Sequence, residues 1–250
     1  MEFEKSIFEY AGVKTVYYTV GEGTPLLFFH GGGGWALVYK DTLEELAKDF
    51  LVVAPDLPCF GESDTPPEPW DFSDYASYFS QILKSLDLSN VLVVGHSFGG
   101  GVALHLASKS TRVKKMVLID SLGIPLDCTF RELLVRVVQD FAKSYESVLE
   151  REQTSDLLRA WFRKNAPDIF EKMKTAKKCV ESMHPDFGNF EKPTLVIWGK
   201  EDDVLPLSYG KKLAASIPTA ELRVVSGKHK NCLFEPQKFA SHIREFSSET

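Results

Sequence analysis

The chain has 250 residues, 44% hydrophobic and 26% charged, proportions that exclude collagen-like, coiled-coil and disordered classes. Its longest apolar runs, Trp35 to Tyr39 and Phe50 to Ala54, are five residues each, whereas a membrane-spanning helix needs ~20. The net charge of -6 argues against nucleic acid or anionic lipid as a partner. Acidic residues at Glu2 and Glu4 stand where a signal peptide needs a basic stretch before an apolar one, so a cytoplasmic protein is expected. Cys59, Cys128, Cys179 and Cys232 are far apart, without the close pairs of metal or redox sites; reduced, mostly buried thiols are expected and no metal.

In chain order, β-rich runs at Val13 to Val20 and Leu26 to His30 flank the turn signal Gly21-Glu22-Gly23, which predicts a hairpin leading into a buried strand. Phe50 to Ala54, Val91 to Val94, Val113 to Ile119 and Thr194 to Trp198 are short, continuously apolar and rich in Val, Ile and Leu, as strands covered on both faces are. Helical patterns fall between them: Phe72 to Leu86 after Asp71, Gly100 to Ser108, and Ser208 to Ile217 behind Pro206. A strand at Glu221 to Val225 and a helix around Phe239 to Phe246 close the chain. The alternation predicts an α/β fold with a parallel sheet and function at the carboxyl ends of its strands.

About 65 residues, 124–188, carry no strand pattern. Phe130, Leu133, Leu134, Val137, Val138, Phe141 and Tyr145 recur at helical spacing, as do Leu157, Leu158, Trp161 and Phe162, and a further helix is expected near Pro167. The segment is predicted to be an inserted helical cap, leaving 1–123 and 189–250 as the core domain. It holds eleven basic and eleven acidic residues, so no one-signed surface draws a charged substrate. Phe130, Leu134, Phe141, Trp161 and Phe162 are candidates either for a pocket lining or for the cap's own core.

The sharpest motif is Gly95-His96-Ser97-Phe98-Gly99-Gly100, between the Val91 strand and a helix. A serine on so tight a strand-to-helix turn needs small neighbours, and the turn exposes its hydroxyl while aiming the Phe98 N–H at any oxygen that becomes negative nearby. A phosphate loop is disfavoured, because no Lys-Ser/Thr pair follows the glycines and GxGxxG spacing is absent.

Together with His30-Gly31-Gly32-Gly33-Gly34, Asp56-Leu57-Pro58 to Gly61-Glu62-Ser63, Gly199-Lys200-Glu201-Asp202 with Pro206, and His229 with Glu235-Pro236, this elbow makes the chain resemble the α/β-hydrolase superfamily, in particular serine hydrolases with a helical cap. The resemblance implies a mostly parallel eight-stranded sheet flanked by helices. It also implies Ser97 as nucleophile, His229 as general base and Asp202 as the orienting acid, with Asp203 and Asp120 as alternatives for the acid. The Gly32 N–H, or that of Gly33, is expected to join Phe98 N–H in an oxyanion hole. His30 and Gly31 are candidate pocket residues; His30 is also expected to fix its loop by hydrogen bonds, and His96 to pack beside the elbow. Lys228 departs from the family's usual glycine immediately before the histidine.

No cofactor is required by such chemistry. A carboxylesterase acting on a small-molecule ester, monomeric or homodimeric, is the leading expectation. Second is a carbon–carbon bond hydrolase of ring-cleavage products, whose members usually carry asparagine before the nucleophile and tryptophan after the histidine, where this chain has His96 and Lys230. A small-molecule receptor on the same fold is a third reading, since fold alone does not decide function.

Overall fold

The computed structural model describes residues 1–149, 169–184, 187 and 190–249. Eight strands form one sheet: β1 (Glu4–Tyr10), β2 (Val13–Val20), β3 (Thr24–Phe29), β4 (Phe50–Pro55), β5 (Val91–His96), β6 (Val113–Ile119), β7 (Thr194–Gly199) and β8 (Ala220–Val225). Their order is β1-β2-β4-β3-β5-β6-β7-β8. β1 pairs antiparallel with β2 and β2 with β4, and every other pair is parallel. All residues of β5 and of β7 are buried, which is why these strands read as unbroken apolar runs.

The expected hairpin between Val13 to Val20 and Leu26 to His30 does not form, because β4 lies between them. The partner of β2 is β1, joined through Ala11 and Gly12, both at positive φ, the backbone a two-residue hairpin turn demands. β1 lacks an apolar run because it is an edge strand whose residues are exposed or half-buried. Gly21, at φ +80, instead turns the chain against the start of β4: a Cβ there would lie 2.4 Å from the Phe50 carbonyl oxygen.

A 3-10 turn (Ala36–Tyr39), which lies within the apolar run Trp35 to Tyr39, runs into α1 (Lys40–Leu46). α2 (Phe72–Ser85) begins with a reciprocal cap in which Asp71 Oδ1 accepts from Asp74 N–H and Asp74 Oδ2 from Asp71 N–H, each at 2.9 Å. α3 (Phe98–Lys109) follows β5 directly. α6 (Leu207–Ser216), the single turn α7 (Asn231–Phe234) and α8 (Pro236–Ser248) complete the core. Side chains of α2, α3 and α6 fill one face of the sheet, and those of α1 and α8 the other, a three-layer sandwich.

Between β6 and β7 the chain inserts helices α4 (Phe130–Leu149) and α5 (Ile169–Glu181), the cap. Thr129 caps α4 reciprocally with Glu132. The cap is packed onto the core: Leu133, Cys179 and Met183 belong to its buried cluster, and the Cys179 thiol lies 3.4 Å from the Trp70 carbonyl. Phe130 and Leu134 are half-buried on α4, and Phe141 is further along the same helix. The pattern Leu157 to Phe162, with Trp161, and the helix start near Pro167 lie outside the described residues. Cys59, Cys179 and Cys232 are buried free thiols, with Cys128 partly exposed.

The chain leaves β3 toward β4 on one side and crosses back to β5 on the other. β3 and β5 therefore flank a reversal of winding, the place where open α/β sheets bind ligands beyond their carboxyl ends.

Candidate active site

At the carboxyl end of β5 the chain turns into α3 within one residue. Ser97 takes φ +52 and ψ -115, a strained backbone costing ~1–3 kcal/mol for a non-glycine residue. It is held there by its N–H donating to Ile119 O at 2.9 Å and by its carbonyl accepting from Gly100 and Leu122 N–H, each at 3.0 Å. Serine at a helix start ordinarily caps the first turn with its own hydroxyl; here it makes no such bond, and Oγ is left for another partner. The glycines are obligatory. A Cβ on Gly95 would stand 2.3 Å from Gly99 O, and one on Gly99 2.4 Å from Phe29 O.

That partner is His229, whose Nε2 is 2.9 Å from Ser97 Oγ. His229 Nδ1 is 2.7 Å from Asp202 Oδ2, and both side chains are almost fully buried. Because a carboxylate only accepts, Nδ1 carries the hydrogen, and Nε2 is the basic nitrogen facing the hydroxyl. Asp202 is itself immobilised: its Oδ1 accepts from Val204 N–H at 2.8 Å and Leu205 N–H at 2.9 Å. The buried Trp198 braces that loop by donating from Nε1 to Leu205 O at 3.0 Å.

Of the three candidate acids, Asp203 is exposed, and Asp120 stands behind Asp202. Asp120 Oδ1 accepts from Gly199 N–H at 2.7 Å, and among the described residues no donor reaches its buried Oδ2. Burial, then the adjacent Asp202 charge, push the Asp120 carboxyl well above the usual carboxylate range. Of these two neighbouring acids, Asp202 is the one that reaches the imidazole.

The glycine loop runs from the end of β3. Gly32 is exposed and faces the elbow, with Phe98 Cβ 3.4 Å from where a Cβ on Gly32 would be. Phe98 occupies the first helical position, so its N–H has no intrahelical acceptor. His30 is fully buried beneath the loop: its Nε2 accepts from Leu57 N–H at 2.9 Å and its Nδ1 faces Gly31 O at 2.8 Å, the loop-fixing part expected of it. Burial depresses its pKa. Gly31 is buried and donates to Tyr39 Oη at 3.0 Å. The other family segment is stapled by Asp56, which accepts from Ala36 N–H at 2.7 Å and Glu62 N–H at 2.8 Å.

Two residues have contacts that their sequence settings do not signal. Tyr39 sits in the run after the glycines, where a lone aromatic reads as core. Lys230 forms an ion pair of 2.8 Å with the buried Asp140 of α4, joining the loop after His229 to the cap. Among the described residues no helix is long and apolar enough to cross a membrane, and no three His, Cys, Asp or Glu side chains gather as a metal site.

Ser97, His229 and Asp202 thus touch in series, in the geometry of a serine-hydrolase triad. Known proteins agree on the scaffold. A 2-hydroxymuconate semialdehyde hydrolase of Pseudomonas sp. (strain CF600) is 30% identical over 264 residues, spanning 96% of this chain and 92% of its own. A non-heme chloroperoxidase of Kitasatospora aureofaciens is 28% identical and covered over 96% of both chains. A solved meta-cleavage product hydrolase from Pseudomonas fluorescens IP01, complexed with acetates, superposes with a TM-score of 0.81 at 26% identity over 96% of each chain. Residues 24–168 match the family described as alpha/beta hydrolase fold, and the chain belongs to that family.

Proposed function

We propose that the protein hydrolyses a carbon–carbon bond in small dicarbonyl products of ring cleavage, through an acyl-enzyme on Ser97. The observation that carries the proposal is the assembled Ser97–His229–Asp202 series in a chain whose full-length relatives include the semialdehyde hydrolase above and a 2-hydroxy-6-oxo-2,4-heptadienoate hydrolase at 27% identity. This reverses the order expected from sequence, where ester hydrolysis came first.

In the proposed cycle His229 Nε2 takes the Ser97 proton as Oγ adds to the substrate carbonyl carbon. The oxyanion is received by the N–H groups of Phe98 and Gly32, each such donor typically contributing ~3–4 kcal/mol in the transition state. The step needs the diketo tautomer of the dienoate, in which the carbon beside the attacked carbonyl is tetrahedral: the bond to that carbon breaks, its electron pair leaves as an enolate conjugated with the second carbonyl, and the imidazolium returns the proton to it. Water, deprotonated by His229, then cleaves the acyl-enzyme. Asp202 holds the imidazole in the tautomer this requires and stabilises its charged form.

Ester hydrolysis is the second reading, and the same groups perform it with an alkoxide leaving. It is favoured by His96 and Lys230, which stand where ring-cleavage hydrolases usually carry asparagine and tryptophan. Comparing kcat/KM for 2-hydroxy-6-oxohepta-2,4-dienoate and for p-nitrophenyl acetate, with Ser97→Ala as control, separates them. A preference for the dienoate supports the first reading and a preference for the ester the second. Turnover of neither by the wild type, or turnover unaffected by Ser97→Ala, overturns both.

A further inference from the structure

Three loops must hold their spacing for this chemistry: the glycine loop after β3, the elbow after β5, and the loop bearing His229 after β8. No strand pairing joins these segments beyond the ends of their strands. One buried chain of hydrogen bonds does. Gly31 N–H lies 3.0 Å from Tyr39 Oη, Tyr39 Oη lies 2.7 Å from His96 Nδ1, and His96 Nε2 lies 2.8 Å from the backbone oxygen of His229. Gly31 adjoins Gly32, His96 adjoins Ser97, and the last acceptor is the base's own carbonyl. Tyr39 and His96 are only 4% and 3% exposed, too little for water to replace a lost partner.

The direction of every bond is forced. A carbonyl oxygen only accepts, so His96 Nε2 must carry the hydrogen; a backbone N–H only donates, so Tyr39 Oη must accept from Gly31. Tyr39 then has its O–H to give, and His96 Nδ1 must be bare to receive it. The imidazole is therefore neutral, in agreement with a pKa held well below the ordinary histidine value by burial first and by the facing His229 next, with Lys230 and His30 adding to the effect. Burial likewise pushes the Tyr39 hydroxyl well above its ordinary value, keeping its proton on.

We infer that Tyr39 and His96 are positioning residues of the serine-hydrolase site, a two-armed strut that sets the glycine-loop donor and the His229 base at fixed distances from Ser97. One arm runs from His96 Nδ1 through Tyr39 to the glycine loop, the other from His96 Nε2 to the base. The inference rests on the serine-hydrolase reading. Neither side chain touches the reacting atoms, so the effect falls on transition-state alignment more than on substrate binding.

The arms can be cut separately. An asparagine amide occupies roughly the position of the histidine Nδ1 and a glutamine amide roughly that of Nε2. Tyr39→Phe and His96→Gln therefore cut the glycine-loop arm, and His96→Asn cuts the base arm. With a substrate that the wild type turns over, Tyr39→Phe is expected to lower kcat by about 10- to 100-fold, below the full loss of an oxyanion donor, with KM changed less than about threefold. Affinity for a trifluoromethyl ketone, which mimics the oxyanion, should fall in parallel. His96→Gln should share that signature, while His96→Asn should lose less ketone affinity than kcat/KM and should shift the acid limb of the pH profile.

Tyr39→Phe within twofold of wild-type kcat, or His96→Gln and His96→Asn behaving alike in both readouts, would overturn the inference. Should the variants not fold, nitrogen-15 NMR of the wild-type histidines decides: His96 protonated on Nε2 supports the strut, and on Nδ1 contradicts it. Ser97→Ala keeps the two levels apart. If it retains turnover, the serine-hydrolase reading itself fails; if it abolishes turnover while Tyr39→Phe does not slow it, only the strut does.

Discussion

Substituting the elbow glycines by alanine tests whether the elbow's geometry, rather than its residue types alone, sets activity. In Gly99→Ala the new methyl would sit 2.4 Å from Phe29 O and 2.5 Å from His30 O, against about 3.4 Å for ordinary contact. The obstacle is backbone and cannot rotate away, so α3 and the end of β3 must part by about 1 Å, a displacement at reacting groups that costs about a hundredfold in rate. Overpacking should also remove ~1–3 kcal/mol of stability. In Gly100→Ala the obstacle is a side chain, with Ser121 Oγ 1.8 Å and Cβ 2.5 Å away. Ser121→Gly removes both atoms and leaves Gly95 O at 3.2 Å as the nearest neighbour. The single variant Gly100→Ala should be impaired, the double variant Gly100→Ala/Ser121→Gly should regain most kcat and Tm, and Ser121→Gly should not rescue Gly99→Ala. Steady-state kinetics and thermal melts of these four variants beside the wild type suffice. A Gly99→Ala variant with wild-type kcat/KM and Tm would refute the reasoning.

Other expectations concern the acids. Asp202→Asn should lower kcat by about a hundredfold or more, because an amide donates as readily as it accepts and lets Nδ1 lose its hydrogen; Asp120, pinned by Gly199, should not substitute, so Asp120→Asn/Asp202→Asn should be no slower than Asp202→Asn alone. Asp120's folded pKa lies above its unfolded value near ~3.9, so its contribution to stability is full below that value and is lost as pH rises toward the folded pKa. Asp120→Asn should therefore gain stability over wild type between pH 4 and pH 7 in denaturant titrations, by at most ~1.4 kcal/mol per pH unit; parallel curves would contradict a protonated Asp120. His96 has the opposite sign in effect: its folded pKa is depressed, so its contribution is full above ~6.5 and is lost as pH falls. His96→Gln should be less acid-sensitive than wild type across that window.

The buried strands were legible because each is covered on both faces and so carries an unbroken apolar run, Val91 to Val94 and Thr194 to Trp198 among them. β1 was not, since this exposed edge carries Glu4, Lys5, Ser6 and Glu9 around the short apolar pair Ile7-Phe8 and offers no run; with β1 unseen, the hairpin partner expected for β2 was the wrong strand. The order of strands is set by crossovers and packing that no local pattern records. Ser97 and His229 were legible from the strained turn and from the place between the last strand and last helix. Asp202 was legible as the acid through its resemblance to the family pattern, but Asp120 stayed open as an alternative because both follow the ends of neighbouring strands. Tyr39 and His96 were illegible as a pair: they are 57 residues apart, and each alone reads as a packed aromatic.

The most direct test of the central claim is covalent trapping of the nucleophile. A fluorophosphonate should phosphonylate the wild type once, with peptide mass spectrometry placing the adduct on Ser97, much more slowly in His229→Ala and not at all in Ser97→Ala. An adduct on another residue, or equal labelling of Ser97→Ala, would contradict the account.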